Sequence, residues 1–150
     1  MLSIAGDGPQ KEEISGLARS LNISESIQFL GYVKNIPRLM TNFDLLLHIA
    51  STESYGQIYL EALLSRLSII CSRTGIAIDL SETHELNIRV VEPSSVQNIS
   101  QELLNYFAQS IPSLDSQRDL FANFYKHEDK FVYHELALFF QALGTNNEDV

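Results

Sequence analysis

Short apolar runs closed by turn residues alternate with segments of helical period through residues 1–107, and this alternation limits the fold more than any other feature. Strands joined through helices run parallel, are covered on both faces, and read as continuous apolar runs. Residues 1–5 are the first run, closed by Gly6-Asp7-Gly8-Pro9, where Pro9 suits a helical first turn. In residues 10–21 the apolar Ile14, Leu17, Ala18 and Leu21 fall at helical spacing, with Glu12 and Glu13 early and Arg19 late. Residues 26–30 form a strand ended by Gly31, and 34–40 a short helix despite Pro37. Residues 43–50, apolar apart from Asp44 and His48, read as a strand buried on both faces. A polar turn, a helix over 57–66, a strand over 67–71, a loop over 72–75 and a strand over 88–91 follow. Helical patterns occupy 96–107, 120–125 and 131–143. The expected fold is α/β: a doubly wound parallel sheet of five strands with helices on both faces. Ligands of such sheets bind outside the carboxyl ends of the strands, here the loops at 6–9, 31–34 and 51–56.

Composition removes several classes. A length of 150 residues favours one domain over 1–143, with a flexible acidic tail at 144–150. Hydrophobic residues at 45% and charged residues at 19% exclude intrinsic disorder. A net charge of −9 repels a phosphate backbone, so nucleic acid is a poor partner, although one small anion is still permitted. Cys71, the single cysteine, cannot form an internal disulfide, which favours a reducing compartment. No signal peptide is visible, and no window approaches the roughly 18 apolar residues of a spanning helix. A cytoplasmic protein is expected, with peripheral contact at an inner membrane face also compatible.

The densest chemistry lies in Ser51-Thr52-Glu53-Ser54-Tyr55-Gly56-Gln57-Ile58-Tyr59-Leu60-Glu61-Ala62, at a strand-to-helix junction. A helix starting near Tyr55 offers unpaired N–H groups and a positive dipole end, and Gly56 lets an anion approach the backbone. Glu61, about six residues into such a helix, lies roughly 9 Å along its axis. Glu53 sits on the loop before it. Carboxylates repel phosphate but accept hydroxyl hydrogen bonds, so sugar and ribose diols are their natural partners.

The Glu53 to Glu61 spacing resembles the E-x7-E motif of retaining GT-B glycosyltransferases, and its setting is similar to family 4. Ile4-Ala5-Gly6-Asp7-Gly8-Pro9 resembles that family's strand and GDGP turn, and Phe29-Leu30-Gly31-Tyr32-Val33 its next strand. The pieces fall in the family's order over residues 2–93. The resemblance implies a Rossmann-like domain, the C-terminal half of a GT-B fold, binding a nucleoside-diphosphate sugar. It implies retaining transfer of a hexose to a glycan or lipid-linked acceptor, with no metal and no cofactor beyond the donor substrate. By position, Glu53 would hold sugar hydroxyls as the catalytic carboxylate, and the N–H groups near Tyr55, Gly56 and Gln57 would face the diphosphate. Glu61 would bind the ribose diol, the backbone at Tyr32 and Val33 the nucleobase, and Gly6 and Gly8 would line the same cleft. The family's domain begins with an earlier strand and helix carrying a diphosphate-binding Arg and Lys. Neither that first βα unit nor the N-terminal acceptor domain is in this sequence, so the chain is expected to be inactive alone, and a separate N-terminal-domain chain is one partner it would accept. Lys34, Arg66 and Arg73 are basic but match neither family position, and the family's Gly-x-Pro step is here Arg66-Leu67-Ser68.

Other groupings carry less. His127 and His134 lack a third ligand at zinc spacing. His48 reads as a satisfied core or strand-end histidine and Cys71 as packing. No Gly-x-Ser-x-Gly elbow occurs. The aromatics Phe121, Phe124, Tyr125, Phe131, Tyr133, Phe139 and Phe140 read as helix packing with part of the cluster exposed. Two alternatives are a non-catalytic degenerate transferase-like domain serving as a protein-interaction or nucleotide-binding module, and an unrelated flavodoxin-like signalling domain.

Overall fold

The computed structural model describes residues 1–82 and 86–109. The helices expected over 120–125 and 131–143, the His127/His134 pair, the aromatic cluster and the acidic tail lie outside the described residues. The chain divides into two compact units, the first ending at Leu39 and the second beginning at Met40.

In the first unit, β1 (Leu2–Ala5) pairs in parallel with β2 (Ile27–Gly31), and α1 (Lys11–Ser20) connects them. The helix starts two residues after Pro9, which stays in the turn ahead of it; Gln10 takes the N-cap position without a side-chain hydrogen bond. Of the apolar positions read from the pattern only Ala18 is buried, while Leu17 and Leu21 are exposed. The turn before β2 closes as a short 3₁₀ helix, Ser24–Ser26. Then α2 (Ile36–Met40) starts just ahead of Pro37, in the first turn, where its missing N–H costs nothing.

The second unit holds a parallel three-stranded sheet in the order β3 (Leu45–His48), β4 (Ser68–Ser72), β5 (Ile88–Val91). The register sets Leu47 beside Ile70 and His48 beside Cys71. Because side chains alternate along a strand, these two rows face opposite sides of the sheet. One row packs on α5 (Val96–Ala108): Ile70, Val91 and Tyr106 form a buried cluster joined by Leu45, Leu47, Ile49, Ile99 and Leu103. Polar groups fix that helix further. Arg89 reaches Glu102 at 2.6 Å and Gln109 at 2.7 Å, and the Tyr106 hydroxyl donates to the Asp44 carbonyl at 3.2 Å. The other row meets α3 (Gln57–Leu64), where His48 lies edge-on to Tyr59.

Every strand pairing is parallel, as the strand–helix alternation requires, and the pairings fall into two sheets, one in each unit. Periodicity assigns direction and burial without saying which edges hydrogen-bond. Among the described residues β3 has a ladder partner only in β4, and its four residues are half-buried, whereas every residue of β4 is buried. The expectation that β3 is covered on both faces therefore holds for the central strand β4 and not for β3. The helix α4 (Ala77–Glu82) has no counterpart in the sequence reading, since six residues span too few turns to show a period.

Candidate functional site

The 51–62 constellation sits where the pattern placed it, at the carboxyl end of β3. Ser72, fully buried at the end of β4, fixes the exit from β3: its hydroxyl donates to the Ala50 carbonyl at 2.5 Å and accepts from the Ala50 N–H at 3.0 Å. The chain then runs over the sheet edge to Glu53. That carboxylate turns back on its own loop, its Oε1 accepting from the Ser54 N–H at 3.0 Å and its Oε2 lying 3.6 Å from His48 Nε2.

The helix begins at Gln57, where the apolar pattern places it and two residues after the start near Tyr55 used for the anion-site reading. Gly56 is the reason: at φ 95° and ψ 43° it is left-handed and occupies the N-cap position. A Cβ there would lie 2.5 Å from the Tyr59 ring, so geometry and space both require glycine. Among the described residues the N–H groups of Tyr55, Gly56 and Gln57 have no acceptor, and no side chain caps α3. Those are the orphan donors that make a helix start attract anions.

With the later start, Glu61 lies four residues after Gln57, about 6 Å along the axis at 1.5 Å per residue. Its carboxylate is half-buried and has no hydrogen-bond or ion-pair partner among the described residues, and burial raises its pKa above the ordinary glutamate value. A carboxylate kept in that state is supplied with unused acceptors.

The wall behind the loop is built from β4 and α3. The Tyr59 hydroxyl and Thr74 Oγ1 share a hydrogen bond of 2.9 Å, and burial pushes the phenol's pKa up. The Ile76 N–H donates to the Tyr55 carbonyl at 2.9 Å, tying the loop after β4 to the loop before α3. Gly75 makes this possible, since its Cβ would stand 2.4 Å from the Tyr55 oxygen. The sequence pattern marks this loop at 72–75 but assigns it no site residue. Gly75, whose φ of 54° lies in the left-handed region, is the residue in that loop that the close approach depends on. Cys71 packs beneath, fully buried, with its thiol pushed up to about 11 by burial, in line with its reading as packing.

The remaining expected site residues lie in the first unit. Gly6 and Gly8 follow β1, and the Gly6 N–H donates to the Gly31 carbonyl at 2.7 Å, which brings that loop against the one carrying Tyr32 and Val33. Tyr32 is exposed and Val33 half-buried. Among the described residues no group of three or more His, Cys, Asp or Glu is placed to hold a metal ion.

Residues 1–126, most of the chain, match the family described as glycosyl transferases group 1. The chain belongs to that family. Among curated proteins it is 35% identical over 74 residues to N-acetyl-alpha-D-glucosaminyl L-malate synthase of Bacillus anthracis, a match that covers 49% of this chain and 19% of that protein. Among solved structures it is similar to Anabaena Alr3699/HepE in complex with UDP-glucose, with TM-score 0.71 and 22% identity over 93% of this chain and 40% of that one. It is also similar to WaaG, a glycosyltransferase involved in lipopolysaccharide biosynthesis, with TM-score 0.70 and 22% identity over 91% of this chain and 36% of that one. The fold is thus the Rossmann-like fold of GT-B glycosyltransferases, as the motif order implied. The chain spans well under half the length of each of these relatives. Among the described residues no helix of the family member is long and apolar enough to cross a membrane.

Proposed function

We propose that this chain is the donor-binding part of a retaining hexosyltransferase that takes its sugar from a nucleoside diphosphate. The observation that carries the reading is the unpartnered, half-buried carboxylate of Glu61 on the helix whose first N–H groups are free. In this reading those N–H groups at Tyr55, Gly56 and Gln57 receive the diphosphate. Glu61 accepts both hydroxyls of the ribose, and Glu53, on the approach to the helix, accepts hydroxyls of the transferred sugar. As the sugar leaves, negative charge grows on the diphosphate. A preorganised helix start stabilises that charge without reorganising, which lowers the barrier in the sense of an oxyanion hole.

In this reading the acceptor is a glycan or a lipid-linked sugar. The UDP-glucose complex of the Anabaena neighbour is a guide to the donor class.

Titration calorimetry with UDP, GDP and their hexose conjugates tests the reading. Binding in the micromolar to millimolar range, weakened about tenfold by Glu61→Ala through the loss of charged hydrogen bonds, is expected. Absence of binding at millimolar ligand, or a Glu61→Ala variant that binds like the parent, would leave a non-catalytic module as the better description.

A further inference from the structure

His48 ends β3 with its imidazole held between two parts of the candidate site. One side meets Tyr59, with ring centroids 5.5 Å apart and planes at 77°. Tyr59 is itself buried and tied to Thr74, so the surface against which the imidazole rests is fixed. The other side points to the Glu53 loop. Nε2 is enclosed, without a hydrogen-bond partner, and the acidic group it faces is Glu53 Oε2 at 3.6 Å. An enclosed ring nitrogen left unsatisfied carries a desolvation cost, and buried polar atoms in this state are uncommon. The separation exceeds a hydrogen bond, and a shift of roughly 0.5 Å in the Glu53 loop would close it.

We propose that His48 is the positioning residue for Glu53, which rests on the reading of Glu53 as the sugar-binding carboxylate. When sugar hydroxyls engage Glu53, the Nε2–H of His48 donates to Oε2 while the Ser54 N–H stays on Oε1. Each carboxylate oxygen has a second lone pair to offer. With one donor on each oxygen the carboxylate can no longer rotate, and its remaining lone pairs stay directed at the hydroxyls. Site hydrogen bonds that are long without ligand and tighten in the complex are a recognised pattern.

The test compares two variants of the full 150-residue chain by calorimetry with UDP, UDP-glucose, GDP and GDP-mannose. The quantity read is the ratio of the Kd for the bare nucleotide to the Kd for its sugar conjugate. His48→Phe keeps a ring against Tyr59 and removes the donor; His48→Gln places an amide N–H near Nε2. His48→Phe is expected to lower the ratio about tenfold, the scale of one charged hydrogen bond, with bare-nucleotide affinity unchanged. His48→Gln is expected to restore most of it, and in a Glu53→Ala background His48→Phe should cost nothing more. If Glu53→Ala leaves the ratio intact, or the parent binds no sugar conjugate more tightly than its nucleotide, the reading of Glu53 fails and this inference with it. If Glu53→Ala lowers the ratio while His48→Phe leaves it unchanged, or His48→Gln behaves as His48→Phe, the Glu53 reading stands and His48 is packing alone. Imidazole ¹⁵N shifts of the parent in the sugar complex give a readout that needs no variant: a proton on Nε2 supports the assignment and an unprotonated Nε2 overturns it.

Discussion

The Ile76 N–H donates to the Tyr55 carbonyl at 2.9 Å, so the loop that follows β4 holds the loop that leads into α3. The free donors at the start of α3 are therefore supported from behind by a second segment, and disturbing that segment should reach the site.

Gly75→Ala tests the support directly. The new Cβ would meet the Tyr55 carbonyl at 2.4 Å, and the φ of 54° is unfavourable for alanine. Destabilisation of about 1–3 kcal/mol is expected in urea unfolding, with weaker donor binding. Gly8→Ala is the control. Nothing lies within 4 Å of a Cβ there, and a change within about 0.5 kcal/mol is expected.

Ser72→Ala removes both hydrogen bonds to Ala50 from a fully buried position. The peptide groups of Ala50 lose their side-chain partner, at an expected cost of about 1–3 kcal/mol measured by denaturant unfolding. Hydrogen exchange should also quicken at Ala50.

Glu61→Gln should separate stability from binding. Burial raises the pKa of Glu61 in the folded state, so folding favours its protonated form. The sign follows: Glu61 favours the fold most below its unfolded pKa, and that contribution is lost as pH rises through the higher folded value. At neutral pH the neutral amide should stabilise the chain slightly, by less than about 1 kcal/mol because the group is only half-buried, and the gain should vanish in acid below the unfolded value. Donor affinity should fall at the same time. Thermal melts at pH 4 and pH 7 beside calorimetry read both effects.

Cys71, fully buried with its thiol raised to about 11, should be almost inert toward thiol reagents at pH 8 in the folded chain. The same reagents should label it rapidly in urea. Fast labelling of the native chain would show that β4 opens locally.

The parallel strand direction, the loop that carries Glu53 and the helix that carries Glu61 are legible because each depends on local pattern. A continuous apolar run, a polar turn with Gly56 and a helical period are properties of neighbouring residues. The burial of β3 was misread because it depends on which strand lies beside it. His48 reads as a satisfied core or strand-end histidine, and it does end β3; that its Nε2 is unsatisfied is not legible, because it depends on Glu53, five positions on, and on Tyr59 of the next helix. Thr74 and Gly75 fall in the loop that the pattern marks over 72–75, but their contacts with Tyr59 and Tyr55 are not legible there, since the two sides are separated in sequence by α3 and β4.

Leu45, Leu46 and Leu47 line a strand with one unpaired edge among the described residues, and it carries no lysine, proline or bulge of the kind that blunts exposed edges. An unpaired strand edge is in general a template on which another extended segment can pair. The strand that delivers Glu53 to its loop is thus also the one whose second edge is left without a ladder among the described residues.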